Sequence, residues 1–513
     1  MKPKARATKS MRLPAQRSKP ARKAAARRPA AKTASRAPAK APAKARKGTA
    51  SRPRKVKRVA AGAARPARID GDALLGRAER VVSMALARGA TQAECYLEWG
   101  EGLDVELEKG AIASTGSGQG GGGSVRLLVE GRVGFAYFTS DAEAPVAIEQ
   151  AKRDSRLGER IGFSLPAGGK AKTLPGRWHG DVAALDVDAA IAMAKDLVAG
   201  AKEAAPKANL SGGGIGLESE WCAIASSEGV ASWDRSTGVS AGASLVQTDG
   251  KTSVSASESR SSHTLDVDAH EVAAEAGRTL VSLLKPKKAE GGRKQVMFRP
   301  EAASELVADL VVSASLGDEA RRGKTVWSKK LGEPVAASIL DVRDDCHVAG
   351  AIAAVPFDDE GLPTKRLPII AGGVLRNFLY DSWDATRHQA KSTHSAVRGD
   401  FKSRPATGTH HLVVSSQGSR PLSKLLAGMD DGYLVESVLG AHTANATTGD
   451  FSVTSPNVWQ VEGGAIVGPV REIAIGGNLP DLLLRLQGIS KEAKQMDGMR
   501  MPHLLFGDVD VSV

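Results

Sequence analysis

Acidic residues are missing from the first 68 positions, which nevertheless hold 24 Lys and Arg. The whole chain has 71 Lys and Arg against 57 Asp and Glu, so the remaining 445 residues carry a net charge of −10. A basic segment rich in Ala and Pro cannot bury a hydrophobic core. We therefore expect a disordered tail over residues 1–68 and a mildly acidic folded body after it.

Cysteine is scarce in the whole chain. The three cysteines are odd in number and far apart: Cys95, Cys222 and Cys346. This excludes a disulfide framework and predicts reduced thiols in the cytoplasm. No run of 18 apolar residues occurs, so no membrane span is expected. Leu13 is the only large aliphatic residue before Val56, which argues against a secretory signal peptide.

Aromatic residues make up 4% of the chain while Gly contributes 56 residues, a balance that favours many turns between short strands. Apolar residues at helical spacing predict helices over residues 70–89, 145–152, 186–202, 266–284 and 300–316. Alternation predicts one hairpin that turns at Gly100–Gly102 and a second that turns at Glu130–Arg132. The fold class that follows is α+β.

The segment Pro286–Arg293, with paired Lys and paired Gly residues, reads as a linker. It predicts an N-terminal α+β lobe over residues 69–285 and a β-rich C-terminal lobe over residues 294–513.

Short motifs give no catalytic site. The glycine run Gly116–Gly123 satisfies G-x-G-x-x-G but leads into a strand-like stretch, so we interpret it as a flexible loop and not as a dinucleotide site. His270 and Glu271 begin a zincin-like string that lacks the second His. The neighbours His410 and His411 would point to opposite faces of a strand, as would Cys346 and His347. No G-x-S-x-G elbow occurs.

Longer blocks are more informative. The stretches Phe357–Thr393, Leu434–Ser452 and Pro469–Leu483 strongly resemble the TldD/PmbA (TldD/TldE) family, and Ser124–Ser140 and Leu316–Val335 resemble the strand pair and interlobe segment of the same family. The resemblance implies a two-lobed, β-rich fold and a metallopeptidase, a hydrolase that trims leader peptides or degrades short unfolded peptides. It also implies a dimer of two chain types. A TldD-type chain binds zinc through an HExxxH helix and a C-terminal Cys, and a PmbA/TldE-type chain lacks them.

Within this resemblance, counting back from Gly332 and Glu333 places the two His ligands at Ala308 and Ser313 and the general base at Asp309. The stretch Lys494–His503 corresponds to the loop with the third ligand, and it contains no Cys. The resemblance therefore implies a non-catalytic PmbA/TldE-type subunit with no metal or other cofactor of its own, and zinc in the partner.

Further family segments are candidates for the wall of the substrate chamber or for subunit contact: Asp358, Asp359, Glu360, Gly361, Lys391, Ser392, Thr393, Gly449, Asp450 and Phe451. The alternative for the two turn segments is that they serve turn geometry alone, with Gly at positive φ and Asp capping its own backbone. The expected partners are a TldD-type zinc subunit in a heterodimer, or a second copy in a homodimer, and an extended peptide substrate. The alternative function is that of a nucleic-acid-associated protein. Its tail, residues 1–68, would make weak contact through release of phosphate counterions.

Overall fold

The computed structural model describes residues 69–169, 171, 173–250 and 252–513. The tail predicted for residues 1–68 lies outside the described residues. Among the helices of the described part, none combines the length and the hydrophobicity needed to cross a bilayer.

An antiparallel sheet of six strands forms the first half of the described chain, with the spatial order β3-β2-β1-β4-β5-β6. The strands are β1 (Gln92–Glu108), β2 (Ala111–Val129), β3 (Arg132–Phe138), β4 (Asn209–Ser226), β5 (Ala231–Asp249) and β6 (Thr252–Ser262). The predicted turn at Glu130–Arg132 is confirmed, because Glu130 and Gly131 adopt positive φ angles of 51° and 74° between β2 and β3.

Four helices pack on this sheet: α1 (Gly71–Ala87), α2 (Ala144–Ser155), α3 (Val187–Ala204) and α4 (Ala269–Val281). A short 3-10 turn, Asp141–Glu143, precedes α2. Three of the helices begin at an Asp whose carboxylate accepts a backbone N–H of the first turn: Asp70, Asp186 and Asp268. Such N-caps stabilise a helix by about 1 kcal/mol each, which explains why these helices were predictable.

The glycine-rich stretches differ from the prediction. Gly100–Gly102 does not turn: β1 runs through it, and Gly100 pairs with both Gly120 and Glu220. The predicted flexible loop Gly116–Gly123 is likewise wrong, because it forms part of β2. A Cβ on Gly121 would lie 2.0 Å from the Glu98 carbonyl oxygen, so the missing side chain permits the close approach of β1.

A larger sheet occupies the second half. It contains β7 (Gly292–Phe298), β8 (Asp341–Asp345), β9 (Arg366–Ala371), β10 (Val374–Leu375), β13 (Leu412–Ser415), β14 (Asp431–Leu439), β15 (Asp450–Glu462), β16 (Ala465–Val470), β17 (Ile473–Asn478), β18 (Leu486–Met496) and β19 (Met499–Ser512), and a separate pair is formed by β11 (Ala396–Val397) and β12 (Ala406–Thr407). Strands β7, β14, β15, β17 and β19 pair in a closed ring. The α+β fold class is thereby confirmed. The boundary between lobes at residues 285 and 294 stays a prediction.

The predicted helix over residues 300–316 is present but is not uniform. It consists of α5 (Pro300–Ala303), a π-helical turn (Ser304–Ala308) and α6 (Asp309–Ser315). Pro300 occupies the first turn, where its missing N–H costs nothing. The other short helices are α7 (Gly317–Arg321), α8 (Ser382–Arg387), α9 (Leu422–Leu426), a 3-10 turn (Ala441–Thr443) and α10 (Leu479–Leu484).

Candidate functional site

A cavity of about 320 Å³ lies against the helical segment that holds the positions predicted for the lost zinc site. Residues 308, 309, 310, 312 and 313 of this segment line it. At 100° per residue, positions 308, 309, 312 and 313 form one stripe about 140° wide and Leu310 lies about 60° beyond it, so a helix can present groups at 308, 309 and 313 to a common space. The π-helical turn ends at Ala308, directly before this stripe.

Other walls of the cavity come from three distant segments. Thr409 precedes β13, His442 lies in the 3-10 turn after β14, and Gly498 and Met499 lie where β18 turns into β19. Gly498 belongs to the stretch predicted to replace the loop of the third zinc ligand. The sequence-predicted positions are thus brought together around one cavity, although more than 180 residues separate Asp309 and Gly498 along the chain.

The residues around the cavity do not fit a zinc ion. Zinc in a peptidase site takes three protein ligands from His, Cys and carboxylates. Here Ala308 offers a methyl group, Ser313 a hydroxyl group and Gly498 no side chain, so only the Asp309 carboxylate and the exposed His442 imidazole remain among the lining groups. Partial burial raises the pKa of Asp309 above its usual value.

The turn Asp358–Gly361 does not line this cavity but carries a buried ionic network, which we call the hub. Glu360 is fully buried and accepts hydrogen bonds from Arg126 Nη1 at 2.7 Å and from the Ser382 backbone N–H at 2.9 Å. Arg126, on β2, also donates to Glu94 of β1 at 2.5 Å. Burial alone would lower the pKa of Arg126, but the two carboxylates outweigh it and raise that pKa. The hub therefore joins the six-stranded sheet to the second half of the chain.

Arg398 completes the hub. Its Nη2 donates to Glu94 at 2.6 Å, and its backbone N–H donates to Asp359 at 2.6 Å. Glu94 is thereby held between Arg398 and Arg126, whereas Glu360 has Arg126 as its cation. Burial raises the pKa of Asp359, and the nearby Arg398 opposes this effect.

Asp358 and Gly361 shape the turn itself. Asp358 Oδ1 accepts the backbone N–H groups of Glu360 at 3.1 Å and of Leu362 at 2.9 Å. Burial, with a contribution from the Glu360 charge, raises the pKa of Asp358 to about 7. Gly361 has φ +78°, and a Cβ there would lie 2.3 Å from Val230 Cγ1. The geometry of the turn thus requires both residues.

The remaining sequence-predicted residues also lie outside the cavity lining. Ser392 and Thr393 donate to the Tyr380 carbonyl oxygen at 3.4 and 3.0 Å, while Lys391 is exposed. Gly449 has φ +82° and is buried beside Val326 and Pro480. Asp450 is exposed and accepts from Thr448 and Asn478, and Phe451 is buried in the core.

Sequence reasoning missed the hub arginines and the cavity residue Thr409. Arg126 and Glu360 are separated by 234 positions, and Arg398 and Glu94 by 304. The one available signal was composition, since Arg126 interrupts the otherwise apolar β2 stretch from Val125 to Val129.

Comparison with known proteins identifies the protein family. Three sequence profiles of a single peptidase family match the chain in order: PmbA/TldA metallopeptidase domain 1 over residues 93–155, the central domain over residues 180–284, and the C-terminal domain over residues 291–513. The chain belongs to the PmbA/TldD family, as the sequence blocks indicated.

Relatives agree with this placement. An uncharacterized protein of Methanocaldococcus jannaschii is 27% identical over 379 residues, which are 74% of this chain and 86% of that protein. Metalloprotease PmbA of Escherichia coli O157:H7 is 29% identical over 241 residues, 47% of this chain and 50% of its own length. The crystal structure of TldE from Thermococcus kodakarensis has a TM-score of 0.79 at 22% identity and covers 85% of this chain and 100% of that chain, a likeness of fold.

Proposed function

We propose that the chain is a non-catalytic subunit of PmbA/TldE type in a metallopeptidase, and that a separate TldD-type chain supplies the zinc. The observation that carries this proposal is the lining of the cavity. Where the resemblance implies two imidazoles and a thiolate in a TldD-type chain, this cavity has Ala308, Ser313 and Gly498. Without a metal to acidify water or polarise a carbonyl, the cavity has no means of zinc-dependent hydrolysis.

The work left to such a subunit is to enclose and hold the substrate. The cavity is bordered by the 3-10 turn around His442 and by the turn between β18 and β19. An extended peptide that pairs with main-chain groups is bound with little regard to its sequence. This suits leader peptides or short unfolded peptides as substrates of the assembled enzyme, in the cytoplasm.

The candidate contact residues divide by exposure. Lys391 and Asp450 are exposed, so we assign them to contact with the partner subunit or substrate. The side chains of Asp358 and Glu360 are buried, and Gly361 is needed for the turn, so we assign this turn to holding the two halves of the chain together. The contact of residues 1–68 with nucleic acid stays a prediction, as does a homodimer.

Purified full-length chain should be assayed for peptide cleavage alone and after assembly with a TldD-type chain from the same organism. We expect cleavage from the assembly and none from the chain alone. Removal of a general acid or base lowers a rate by about 10²–10⁴-fold. Asp309→Asn and His442→Gln in this chain should lower the cleavage rate of the assembly by far less than this. Asp196→Asn, on the exposed face of α3, is the matched control.

Two outcomes contradict the proposal. One is chelator-sensitive cleavage by the chain alone. The other is a loss of about a hundredfold or more on Asp309→Asn or His442→Gln with Asp196→Asn unaffected, which would make this chain a peptidase that uses its own acid and base.

A further inference from the structure

A second group of potential ligands lies outside the lining of this cavity. Asp344, Cys346 and His410 each offer one ligand atom, and these atoms lie within 4.8 Å of one another. Asp344 and Cys346 are nearly fully buried, and 6% of the His410 side chain is exposed. We call these three residues the Asp-Cys-His cluster.

Strand pairing explains why the cluster forms. Asp344 is on β8, and Cys346 lies in the turn that directly follows this strand. Strand β13 pairs with β8 in the register Leu412↔Asp344, and the Asp345 N–H donates to the His411 carbonyl oxygen at 2.8 Å. The same antiparallel register places His410 opposite Cys346.

The polar groups of the cluster have few other partners. Asp344 accepts backbone N–H groups of His410 and His411, but no Lys or Arg in the described ranges pairs with it. Its neighbour Asp345, by contrast, pairs with Arg343 and Arg366, both at 3.1 Å. The one charged partner of Asp344 among the described residues is the His410 imidazole, so this buried carboxylate is neutralised only when that imidazole is protonated or when another cation takes the place of the proton.

The imidazole interacts within the cluster, with the Asp344 carboxylate and the Cys346 thiol. His410 Nδ1 lies 3.4 Å from Asp344 Oδ2, which is long for a charge-assisted hydrogen bond of about 2.8 Å. The buried Nε2 has no hydrogen-bond partner among the described residues. With zinc–ligand bonds of about 2.0–2.3 Å, the edges of a tetrahedral site are about 3.3–3.8 Å, and the Nδ1 to Oδ2 separation already falls in this range.

We propose that Asp344, Cys346 and His410 bind a thiophilic divalent cation, zinc being the best match. A thiolate and a carboxylate would balance the two charges of the ion, which leaves a neutral buried site with neutral imidazole. Three protein ligands leave one coordination position for water or another group. The ion would join β8 to the segment before β13, and the neighbour of His410, Thr409, lines the cavity.

This site is independent of the proposed function. A bound ion here would not make the chain a peptidase, and zinc content by itself would not decide between a catalytic and a non-catalytic subunit. The cleavage assay tests the function, whereas metal spectroscopy tests this site.

The test is a titration of the full-length chain with Co²⁺, after chelator treatment under reducing conditions. We expect a thiolate-to-cobalt charge-transfer band that saturates at one equivalent, and one retained zinc per chain after Zn²⁺ loading and dialysis. Cys346→Ser should abolish the band, and His410→Gln should reduce the retained zinc. Cys222→Ser, which removes a thiol outside the cluster, should leave both unchanged.

The wild-type spectrum decides the matter even if a variant fails to fold. No charge-transfer band in the folded wild type would overturn the proposal, as would metal bound without thiolate character. A band that persists in Cys346→Ser, with circular dichroism like that of the wild type, would also overturn it. In each of these cases the three residues form only a hydrogen-bonded cluster.

Discussion

Replacement of Arg126 by Met is the most direct test of the hub. The guanidinium pairs with Glu94 at 2.5 Å and Glu360 at 2.7 Å, and all three side chains are at most 4% exposed. Removal of one partner from a buried ion pair costs about 3–5 kcal/mol, because the remaining charge stays buried without compensation. Glu94 keeps Arg398, but Glu360 keeps only hydrogen-bond donors such as the Ser382 N–H. We therefore expect the unfolding free energy to fall by about 3–5 kcal/mol, mostly through Glu360.

Urea unfolding, followed by fluorescence and circular dichroism, measures this loss. A second substitution, Glu360→Gln in the Arg126→Met background, removes the unpaired charge and should recover part of the lost stability. Arg77 is the matched control, since its pair with Asp141 is exposed and Arg77→Met should cost at most about 1 kcal/mol. If Arg126→Met cost no more than Arg77→Met, or if Glu360→Gln added to the damage, the hub would not stabilise the fold as argued.

Three further predictions concern the turn and the thiols. Gly361→Ala should lower the unfolding free energy by about 2–5 kcal/mol, because a left-handed backbone strains Ala and the added Cβ overpacks the site. Gly131→Ala is the control, since Gly131 has φ +74° but open space around it, and it should cost about 1–2 kcal/mol. Equal losses in chemical denaturation would refute the clash at Gly361. Burial raises the pKa of Asp358 from 3.8 to about 7, so the stability gained from its protonated form is complete below about pH 4 and lost as the pH rises through 7. The unfolding free energy of Asp358→Asn should therefore rise relative to that of the wild type by up to about 1.4 kcal/mol per pH unit between pH 5 and 7. If the melting temperatures of the two proteins ran parallel over pH 5–8, this expectation would be wrong. Cys95 and Cys346 are buried, and burial raises the pKa of both thiols, so a thiol reagent at pH 8 should label them in the native chain only as fast as it unfolds; rapid labelling of Cys222→Ser, which lacks the partly exposed third thiol, would disprove their burial.

Local chemistry explains which elements were predictable from the sequence. Helices α1, α3 and α4 start at Asp caps and carry apolar residues at helical spacing, so each signal lies within about 20 residues. The turn at Glu130–Arg132 is equally local. The run Gly116–Gly123 misled the prediction because its conformation is set by β1, which pairs along its whole length and needs small residues opposite Glu98 and Trp99.

The sites were harder to predict from the sequence, because strand pairing and chain reversal bring together residues that are far apart along the chain. The resemblance to family blocks located Ala308, Asp309 and Ser313, and these positions do line one cavity. No spacing rule joins Cys346 to His410, which lie 64 positions apart, one just after β8 and the other just before β13. The sequence argument considered only adjacent pairs, which a strand does point to opposite faces, and so missed the cross-strand set.

One segment, residues 396–412, connects the hub, the Asp-Cys-His cluster and the cavity. Arg398 belongs to the hub, His410 to the cluster, and Thr409 and Leu412 to the cavity wall. The segment is also tied to the turn before it, since the Ala396 N–H donates to Asp358 and the Asp359 N–H donates to the Ala396 carbonyl oxygen. Because a packed interior transmits strain, we expect a substitution at Arg398 or Glu360 to shift the cavity wall, although neither residue lines the cavity. If the cavity holds part of a peptide, we therefore expect the buried turn to affect binding through the position of Thr409, and not by contact with the substrate.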